Sequence, residues 1–291
     1  MRRRGRKGIF YIIILALLVL LGRDYIQLPP AMVEDTEGRM VVSFIDVGQG
    51  DSTFLEFPGG TTMLIDAGEA EAGDRVISYL RQRHCTRLDY VICTHPHSDH
   101  IGGMAKVLNS FDVGAVYMPR VSHNSKAFEK LLLAIQNKGL SIQTVKAGVT
   151  LEIEPEIGAV FLAPVSQSYE ELNDYSAVLR LTYKSNAFLF TGDAQRLSEE
   201  EMLSAGGTLA ADVLKVGHHG SSSSSHKQFL HEVSPRWAVI SCGADNDYGH
   251  PHQAVVNRLE KMDVTMFRTD IDGTVVAASD GETITFLDGE E

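Results

Sequence analysis

Hydrophobic and polar residues alternate along the first half of the chain in short segments separated by glycine, proline or charged residues. Runs of β-branched and aliphatic residues predict strands, whereas apolar residues three and four positions apart predict amphipathic helices. Pro58-Gly59-Gly60 is typical of a turn between two paired strands. The predicted strands are 41–47, 53–57, 62–65, 88–93 and 113–118, and the predicted helices are 74–83, 102–108 and 126–138.

The second half repeats this alternation of strands and helices. A helix is expected to begin near Ser198, which can form a capping box with Glu201. Two β-rich halves with interspersed helices predict an α/β (α+β) fold, in which two sheets pack together between helical layers. The predicted strands are 160–162, 177–183, 187–191, 212–216, 237–241, 264–268 and 274–278, and two further helices are predicted at 227–233 and 253–261.

The N-terminal segment differs from the rest of the chain. A basic run is followed, over residues 9–21, by side chains that are apolar apart from one tyrosine. This pattern indicates a signal sequence, although the run is shorter than the about 20 residues of a full membrane span. No convincing cleavage signal follows, so we favour a signal anchor over a cleaved signal peptide for residues 1–28. We expect 29–39 to be a linker and 40–291 to be one extracytoplasmic domain, membrane-anchored or secreted.

The formal net charge is −12 although the extreme N-terminus is basic, so the body of the chain is acidic. An acidic body disfavours broad binding of nucleic acid through its phosphates. It does not exclude a polyanionic substrate, because bound divalent ions reverse the local field. The 3 cysteines are too few for a disulfide framework and are interpreted as small buried hydrophobes.

The segment Thr94-His95-Pro96-His97-Ser98-Asp99-His100 concentrates histidine and aspartate at the end of a predicted strand. Imidazole and carboxylate groups are ligands of zinc and similar divalent ions. Alternate residues of an extended segment project to the same side, so His95 and His97 are placed to bind one ion. Asp99 and His100 follow and are placed to bind a second. The segment therefore predicts a two-metal site rather than a polar surface loop.

Polar residues also follow four other predicted strands. Asp66 and Asp193 each come directly after an apolar segment, as does the histidine pair 218–219, and His250 and His252 lie in a later loop. Strand ends along one edge of a sheet are rigid mounts for a site. We therefore expect these residues to gather around the histidine cluster.

The motif Thr-His-Pro-His-Ser-Asp-His-Ile-Gly-Gly at 94–103, with Ile-Asp-Ala-Gly before it and Thr-Gly-Asp after it, resembles the metallo-β-lactamase superfamily. Four further motifs are similar to the extracellular hydrolase domain of ComEC-type competence proteins. They are Phe-Ile-Asp-Val-Gly-Gln-Gly-Asp-Ser at 44–52, Asn-Asp-Tyr-Ser at 173–176, Leu-Lys-Val-Gly-His-His-Gly-Ser at 214–221 and Tyr-Gly-His-Pro-His at 248–252. The resemblance covers about residues 40–288 and implies a four-layer αββα sandwich with a dinuclear site at one edge.

The resemblance also implies a metal ligand set. It assigns His95 and His97 to the first ion and makes Asp193 the bridge between the two ions. The second ion takes its remaining ligands from Asp99, His100 and one histidine of the 218–219 pair, for which we favour His219. Asp66 is expected to support the ligand loop from behind, and Asp46 and Asp51 are interpreted as shaping the site rather than binding metal.

Substrate and catalytic roles follow from the same resemblance. Asp99 is expected to orient the nucleophile, and His218 or His250 to donate a hydrogen bond or proton to the leaving group. Asn173, Ser176 and Ser221 are assigned to substrate binding. The serine run 221–225 is interpreted as a mobile surface loop beside the site. The remaining histidines, His84, His123, His226 and His231, are interpreted as surface or helix-end residues.

One departure from the superfamily pattern bears on chemistry. Many members supply a third histidine to the first ion, but here the segment 173–176 occupies the expected region, and His123 follows the cluster too closely. The first ion is therefore expected to leave room for a water or a substrate oxygen, as in phosphodiester-cleaving relatives that lack this ligand. Many channel-borne relatives have aspartate in place of His97, so its imidazole favours zinc over manganese.

These observations lead to one leading hypothesis and two alternatives. We expect an extracytoplasmic hydrolase with two divalent ions that uses a metal-bridged hydroxide as a phosphodiesterase or nuclease-type enzyme. Its substrate would be a nucleic acid, a nucleotide or a surface phosphoester, and its N-terminal segment would contact the membrane. No protein partner can be inferred. A lactam or lactone hydrolase, or a non-catalytic DNA- or partner-binding protein related to competence, remain as alternatives.

Overall fold

Short runs of apolar and β-branched residues form two mixed sheets in the structure, a computed structural model that describes residues 38–287. In chain order the strands are β1 (Met40–Phe44), β2 (Thr53–Glu56), β3 (Thr62–Ile65), β4 (Arg87–Ile92), β5 (Asp112–Pro119), β6 (Ile142–Val145), β7 (Thr150–Glu152), β8 (Ile157–Ala163), β9 (Val178–Tyr183), β10 (Asn186–Phe190), β11 (Val213–Lys215), β12 (Trp237–Ile240), β13 (Thr265–Arg268), β14 (Val275–Ser279) and β15 (Ile284–Leu287). The first sheet has the order β15-β14-β1-β2-β3-β4-β5-β6, and the second has the order β13-β12-β11-β10-β9-β8-β7.

Each sheet has an antiparallel part and a parallel part. In the first sheet, β3 to β6 are parallel, whereas β14, β1, β2 and β3 pair antiparallel. In the second, β10 to β13 are parallel and β7 to β10 are antiparallel. The carboxyl ends of parallel strands lie at the same edge of a sheet, so the loops after them are brought close together.

Helices cover the outer faces of the two sheets. They are α1 (Gly73–Gln82), α2 (Ser98–Ile101), α3 (Met104–Ser110), α4 (Lys126–Asn137), α5 (Arg196–Ala205), α6 (Lys227–Val233), α7 (Gln253–Glu260) and α8 (Thr269–Asp272). In α4 the buried residues Phe128, Leu131 and Ile135 recur at helical spacing, and the Ser125 hydroxyl caps the helix by accepting the N–H of Phe128 at 3.2 Å. Sequence and local geometry therefore agree on which face of this helix is buried.

Three apolar clusters fill the spaces between the layers. Phe44, Leu55 and Phe188 belong to the cluster between the sheets. The cluster outside the first sheet contains residues of α1, α3 and α4, and the cluster outside the second contains residues of α5, α6 and α7. Burial of one large apolar side chain contributes about 1.5–3 kcal/mol. The four-layer αββα sandwich is confirmed by this arrangement.

The structure departs from the sequence prediction in short elements and at one helix start. Strands β6, β7 and β15 and helix α8 are only three or four residues long and were not predicted, because they lack a clear apolar period. The predicted capping box is wrong, since α5 begins at Arg196 and Ser198 lies buried in its first turn. The Asp174 carboxylate takes over the capping role by accepting the N–H groups of Gln195 and Ser198.

The predicted signal segment 1–28 lies outside the described residues, as does most of the predicted linker 29–39. Within residues 38–287, no helix is long and apolar enough to cross a membrane.

Candidate metal centre

The polar clusters meet at the edge where the parallel strands of both sheets end. In the first sheet, Asp66 follows β3 and the histidine cluster follows β4. In the second, Asp193 follows β10, the histidine pair 218–219 follows β11, and His250 lies in the loop after β12. Contacts between side chains from both sheets join these loops into one site.

His95 and His97 form the first side of the site. The Nε2 atom of His95 lies 3.0 Å from Nδ1 of His97 and 3.7 Å from Oδ2 of Asp193. Two nitrogens that bind one tetrahedral zinc ion lie about 3.3 Å apart, so the histidine pair is close to ligand geometry. Burial and the positive charge of His100 hold the pKa of His95 well below its usual value, which keeps this ring neutral and able to bind metal.

His100 and His219 form the second side of the site, together with the carboxylates of Asp99 and Asp193. The Nε2 atom of His100 lies 3.1 Å from Oδ1 of Asp193. The Nε2 atom of His219 lies 3.2 Å from Oδ2 of Asp99 and 3.6 Å from Oδ1 of Asp193. The two oxygens of Asp193 therefore face different histidine groups, as a bridging ligand requires.

Hydrogen bonds behind the rings define which nitrogen faces the site. The Nδ1 atom of His100 donates to Oδ2 of Asp66 at 2.7 Å, and Nδ1 of His219 donates to the carbonyl oxygen of Ser241 at 3.0 Å. With a metal bound, each ring would keep its proton on Nδ1 and present the Nε2 lone pair to the ion. Asp66 is itself held by the backbone N–H and the hydroxyl of Thr94, at 2.8 and 2.6 Å.

Two buried polar atoms at the centre of the site indicate whether a metal ion fits there. His100 Nε2 and Asp193 Oδ1 are inaccessible to solvent, and although they lie 3.1 Å apart, neither makes a hydrogen bond of acceptable geometry. Buried polar atoms are normally paired, and these two are a basic nitrogen and a carboxylate oxygen that converge on one point. The residues present therefore fit a divalent ion.

The electrostatics of the second side also suit a cation. Burial alone would raise the pKa of Asp193 and of Asp99, but the positive charges of His100 and His219 outweigh burial and lower both. Burial alone would lower the pKa of His219, but the charges of Asp193 and Asp51 raise it to about 10. Protons thus balance the carboxylates in the metal-free protein, and a divalent ion would displace them.

The backbone of the 218–219 pair determines where each ring lies. Both residues have positive φ angles, 51° and 54°, in the left-handed region that residues other than glycine rarely adopt. The His218 N–H donates to the carbonyl of Gly192 at 3.0 Å, which ties the turn to the strand end before Asp193. As a result the His219 ring is buried among the ligands, whereas the His218 ring lies at the opening, with Nδ1 3.1 Å from the Ser223 hydroxyl.

Two residues assigned to substrate binding are buried instead. Ser176 is fully buried, and its hydroxyl accepts the backbone N–H of Asp193 at 3.0 Å, so it positions the bridging carboxylate. Ser221 is also buried, and its hydroxyl lies 3.0 Å from that of Ser223. Both hydroxyls thus contact other groups of the protein, and substrate contact by Ser176 and Ser221 stays a prediction. Asn173 remains a candidate, because its buried Oδ1 has no partner and its Nδ2 lies 3.4 Å from His218 Nε2.

The serine run is also not a free surface loop. Ser224 and Ser225 are buried, and the Ser224 hydroxyl donates to the carbonyl of Ala194 at 2.8 Å. The buried carboxylate of Glu199 accepts the backbone N–H of Ser225 and both the backbone N–H and Nδ1–H of His226. Glu199 therefore anchors this loop to α5, a role that the sequence analysis missed because nothing in the local pattern marks a buried glutamate.

Three other residues, of which only His123 was not expected at the site, lie around the ligands. His123, interpreted as a surface residue, has its ring centroid 6.1 Å from that of His97. Asp46 accepts the N–H of Gly48 and lies near Arg75, so it shapes the glycine-containing turn without touching a ligand. The His250 ring packs 5.7 and 6.0 Å from the rings of the 218–219 pair, and its Nδ1 is buried without a partner.

Comparison with known protein families identifies the family of this fold. The model of the metallo-beta-lactamase superfamily matches residues 45–244, which is more than half of the chain. The chain belongs to the metallo-β-lactamase superfamily. It is thus a member of a superfamily of metal-dependent hydrolases, and it keeps a His/Asp cluster that suits divalent ions.

Within this superfamily the chain is similar to competence proteins. It is 33% identical over 251 residues to ComE operon protein 3 of Bacillus subtilis (strain 168), which covers 80% of this chain and 32% of that protein. It is 31% identical over 259 residues to competence protein ComA of Neisseria gonorrhoeae, which covers 88% of this chain and 34% of that protein. The ComEC-type resemblance is confirmed, and the chain spans about a third of the length of these relatives.

Solved metallo-β-lactamase structures agree with the fold. CmlA, a diiron beta-hydroxylase from Streptomyces venezuelae, matches with a TM-score of 0.55 and 15% identity over 87% of this chain and 54% of that chain. The metallo-β-lactamase fold protein YhfI from Bacillus subtilis matches with a TM-score of 0.50 and 14% identity over 78% of this chain and 95% of that chain. At these identities the matches establish the fold alone.

Proposed function

We propose that this protein is a dinuclear metal-dependent phosphodiesterase. The observation that carries the proposal is the position of Asp193, whose Oδ1 lies 3.1 Å from His100 Nε2 and whose Oδ2 lies 3.7 Å from His95 Nε2. One carboxylate that faces two separate histidine groups supports a pair of ions with Asp193 as their bridge. When bound, two divalent ions supply an activated water and stabilise negative charge on the substrate.

The residues around the ions have distinct tasks in this proposal. The Asp99 side chain is the carboxylate at the site with partial exposure, so it can orient a water as well as bind metal. His218 and His250 lie at the opening on the other side. Burial lowers the pKa of both rings, and the neighbouring positive charge of His219 lowers them further, in His250 to about 4. Both are therefore neutral at pH 7 and act as hydrogen-bond donors rather than as charged acids.

The first side of the site supports a phosphodiester substrate. Two histidines and Asp193 converge there, and the segment in which many superfamily members carry a third histidine ligand forms a short 3₁₀ turn that contains Asn173. An ion with few protein ligands keeps positions for substrate oxygens, and the Asn173 Nδ2 lies 3.4 Å from Nε2 of His218 at the opening. The acidic body of the protein makes the ions the main attraction for a phosphodiester. Nucleic acid, a nucleotide and a surface phosphoester all present this group.

The ligand chemistry supports zinc over manganese in both positions. Four imidazoles, from His95, His97, His100 and His219, face the site together with the carboxylates of Asp99 and Asp193. Imidazole suits zinc, whereas a site for manganese is richer in oxygen ligands. The N-terminal residues 1–28, with their basic run and apolar segment, support an extracytoplasmic location with membrane contact through that segment.

A hydrolysis assay on the metal-loaded protein tests the proposal. Bis-p-nitrophenyl phosphate and nitrocefin are compared with added zinc or manganese, and we expect turnover of the phosphodiester. Asp193→Asn and Asp99→Asn should abolish this turnover and lower the metal content, while Asp74→Asn, an exposed residue paired with Lys106, should retain both. Turnover of nitrocefin alone supports a lactam hydrolase. Fewer than one ion per chain after reconstitution supports a non-catalytic binding protein.

A further inference from the structure

A buried ion pair lies directly behind the second side of the metal centre. Lys215, at the end of β11, is almost fully buried. Its Nζ lies 2.8 Å from Oδ2 of Asp51 and donates to the carbonyl of Val216 at 2.9 Å. A buried ammonium is costly unless it is paired, so Lys215 and Asp51 depend on each other. Neither residue is required by the ligand set described above.

Asp51 belongs with His100, Asp193 and His219 to a group that could hold a metal ion, but its carboxylate lies on the Nδ1 side of the two rings. Its Oδ1 lies 3.2 Å from Nδ1 of His219, and its Oδ2 lies 4.0 Å from Nδ1 of His100. The Nε2 atoms of the same rings face Asp193 on the opposite side. An imidazole presents its two nitrogens in different directions, so Asp51 lies behind the rings.

The loop of Asp51 is nevertheless tightly coupled to a metal ligand. The backbone N–H of Asp51 donates to the carbonyl of Asp99 at 3.0 Å. Gly50 has a φ of +133°, and a Cβ on it would lie 2.3 Å from the same carbonyl oxygen. The carboxylate of Asp51 is thus held at a defined distance from His100 and His219, so its charge would act on an ion that these rings bind.

We propose that Lys215 and Asp51 are positioning residues that set the metal affinity of the second position, with Lys215 holding the Asp51 carboxylate behind His219 and off the ion. This inference rests on the proposed dinuclear site but not on its substrate. The negative charge of Asp51 lies 3.2 Å from the Nδ1 atom of His219, whose N–H donates to Ser241, and this charge makes Nε2 a better ligand. The ammonium of Lys215 offsets part of that negative charge and occupies the oxygen that would otherwise be free to bind metal.

The two halves of the pair therefore have opposite effects on metal binding. Asp51→Asn leaves an unpaired buried ammonium near a divalent ion, which weakens binding. Lys215→Met leaves an unpaired carboxylate near the same ion, and the ion itself then becomes the partner that compensates this charge. An ion pair with a purely structural role would give losses of metal affinity with the same sign in both variants.

The test measures metal affinity rather than activity. Full-length protein is stripped of metal, and zinc and manganese are titrated in competition with a chelator to obtain the overall constant for binding two ions. We expect Asp51→Asn to lower this constant by about 10–100-fold and Lys215→Met to leave it equal to the wild-type value or higher. Equal losses in both variants, or no loss in Asp51→Asn, would overturn the proposal.

A double variant and a control pair separate charge effects from damaged folding. The double variant Asp51→Asn/Lys215→Met has no unpaired buried charge, so its urea midpoint should exceed that of the less stable single variant, and its metal constant should lie between those of the two. Glu56 and Arg83 form an ion pair of 2.9 Å between β2 and the C-terminus of α1. Glu56→Gln and Arg83→Met should leave the metal constant unchanged, and a loss as large as in Asp51→Asn would refute a specific role.

The wild-type result distinguishes the two proposals. If the wild-type protein binds two ions but does not hydrolyse a phosphodiester, the proposed substrate class is refuted. The metal affinities of the Asp51 and Lys215 variants then still test the proposed role of the ion pair. Wild-type protein that binds fewer than two ions refutes both.

Discussion

Replacement of Asp66 by asparagine should damage both the stability of the protein and its metal centre. The carboxylate of Asp66 is fully buried and accepts three hydrogen bonds, from Thr94 N at 2.8 Å, Thr94 Oγ1 at 2.6 Å and His100 Nδ1 at 2.7 Å. An amide has one acceptor oxygen, and its NH₂ group would face a donor. Asp66→Asn therefore leaves at least one buried donor without a partner.

The size of the effect follows from these bonds. A hydrogen bond to a charged group contributes about 1.5–3 kcal/mol, and an unpaired buried donor costs about 1–3 kcal/mol. We expect Asp66→Asn to lower the free energy of unfolding of the metal-free protein by about 3–5 kcal/mol. Because His100 loses the partner that holds its proton on Nδ1, metal affinity should also fall by about 10–100-fold.

Urea unfolding in the presence of a chelator measures the first effect, and metal titration measures the second. Asp89 provides a matched control, because its carboxylate also joins β3 to β4 by accepting the N–H of Thr62 at 3.0 Å. This contact lies at the opposite ends of the two strands, and the Asp89 side chain is partly exposed. Asp89→Asn should cost less than about 1 kcal/mol and leave metal affinity unchanged. An Asp66→Asn protein within about 1 kcal/mol of the wild type, with the same metal affinity, would refute this reasoning.

Three further predictions concern the opening of the site. His219→Gln should lose one ion per chain in metal analysis, because the Nε2 atom of His219 faces Asp99. His218→Gln should keep both ions and have a lower kcat, and the reverse result would exchange the roles of the two histidines. His250 has a pKa of about 4 in the folded protein and about 6.5 in the unfolded chain. The unfolded chain therefore binds the proton at a higher pH, and the metal-free protein loses stability as the pH falls from 6.5 to 4. His250→Gln should reduce this loss in urea unfolding, and identical pH curves would contradict it. The Tyr248 ring is 66% exposed and stacks on the His250 ring at a centroid distance of 5.5 Å. Tyr248→Ala should therefore raise KM for a phosphodiester with an aromatic ring, whereas Tyr248→Phe should keep the wild-type KM. An unchanged KM in Tyr248→Ala would show that this ring does not contact the substrate.

The histidine cluster shows how much of the site could be predicted from sequence. His95, His97, Asp99 and His100 are adjacent in the chain, so the spacing of an extended segment that enters a helical turn already brings them to one place. Asp193 required more, because its place after a predicted strand brought it towards the cluster, but only the resemblance to a family motif made it a bridging ligand. The long strands and α4 were also predictable, since their apolar periods are regular.

Residues that act through distant partners could not be predicted in this way. Ser176 was expected to contact substrate, yet its hydroxyl accepts the N–H of Asp193 because β9 and β10 pair side by side. Glu199 anchors the serine run only because α5 packs beside the loop after β11. His123 lies near His97 because β4 and β5 end together.

The sequence by itself determined the alternation of strands and helices, the identity of the metal-binding groups and the family to which the chain belongs. These properties depend on local spacing and on residue type, which are visible in the chain. Only the tertiary structure decided that Lys215 neutralises Asp51, that the His219 ring is buried while the His218 ring lies at the opening, and that Asp193 faces two histidine groups. The physical reason is that burial and pairing of charges depend on which loops meet at the common edge of the two sheets.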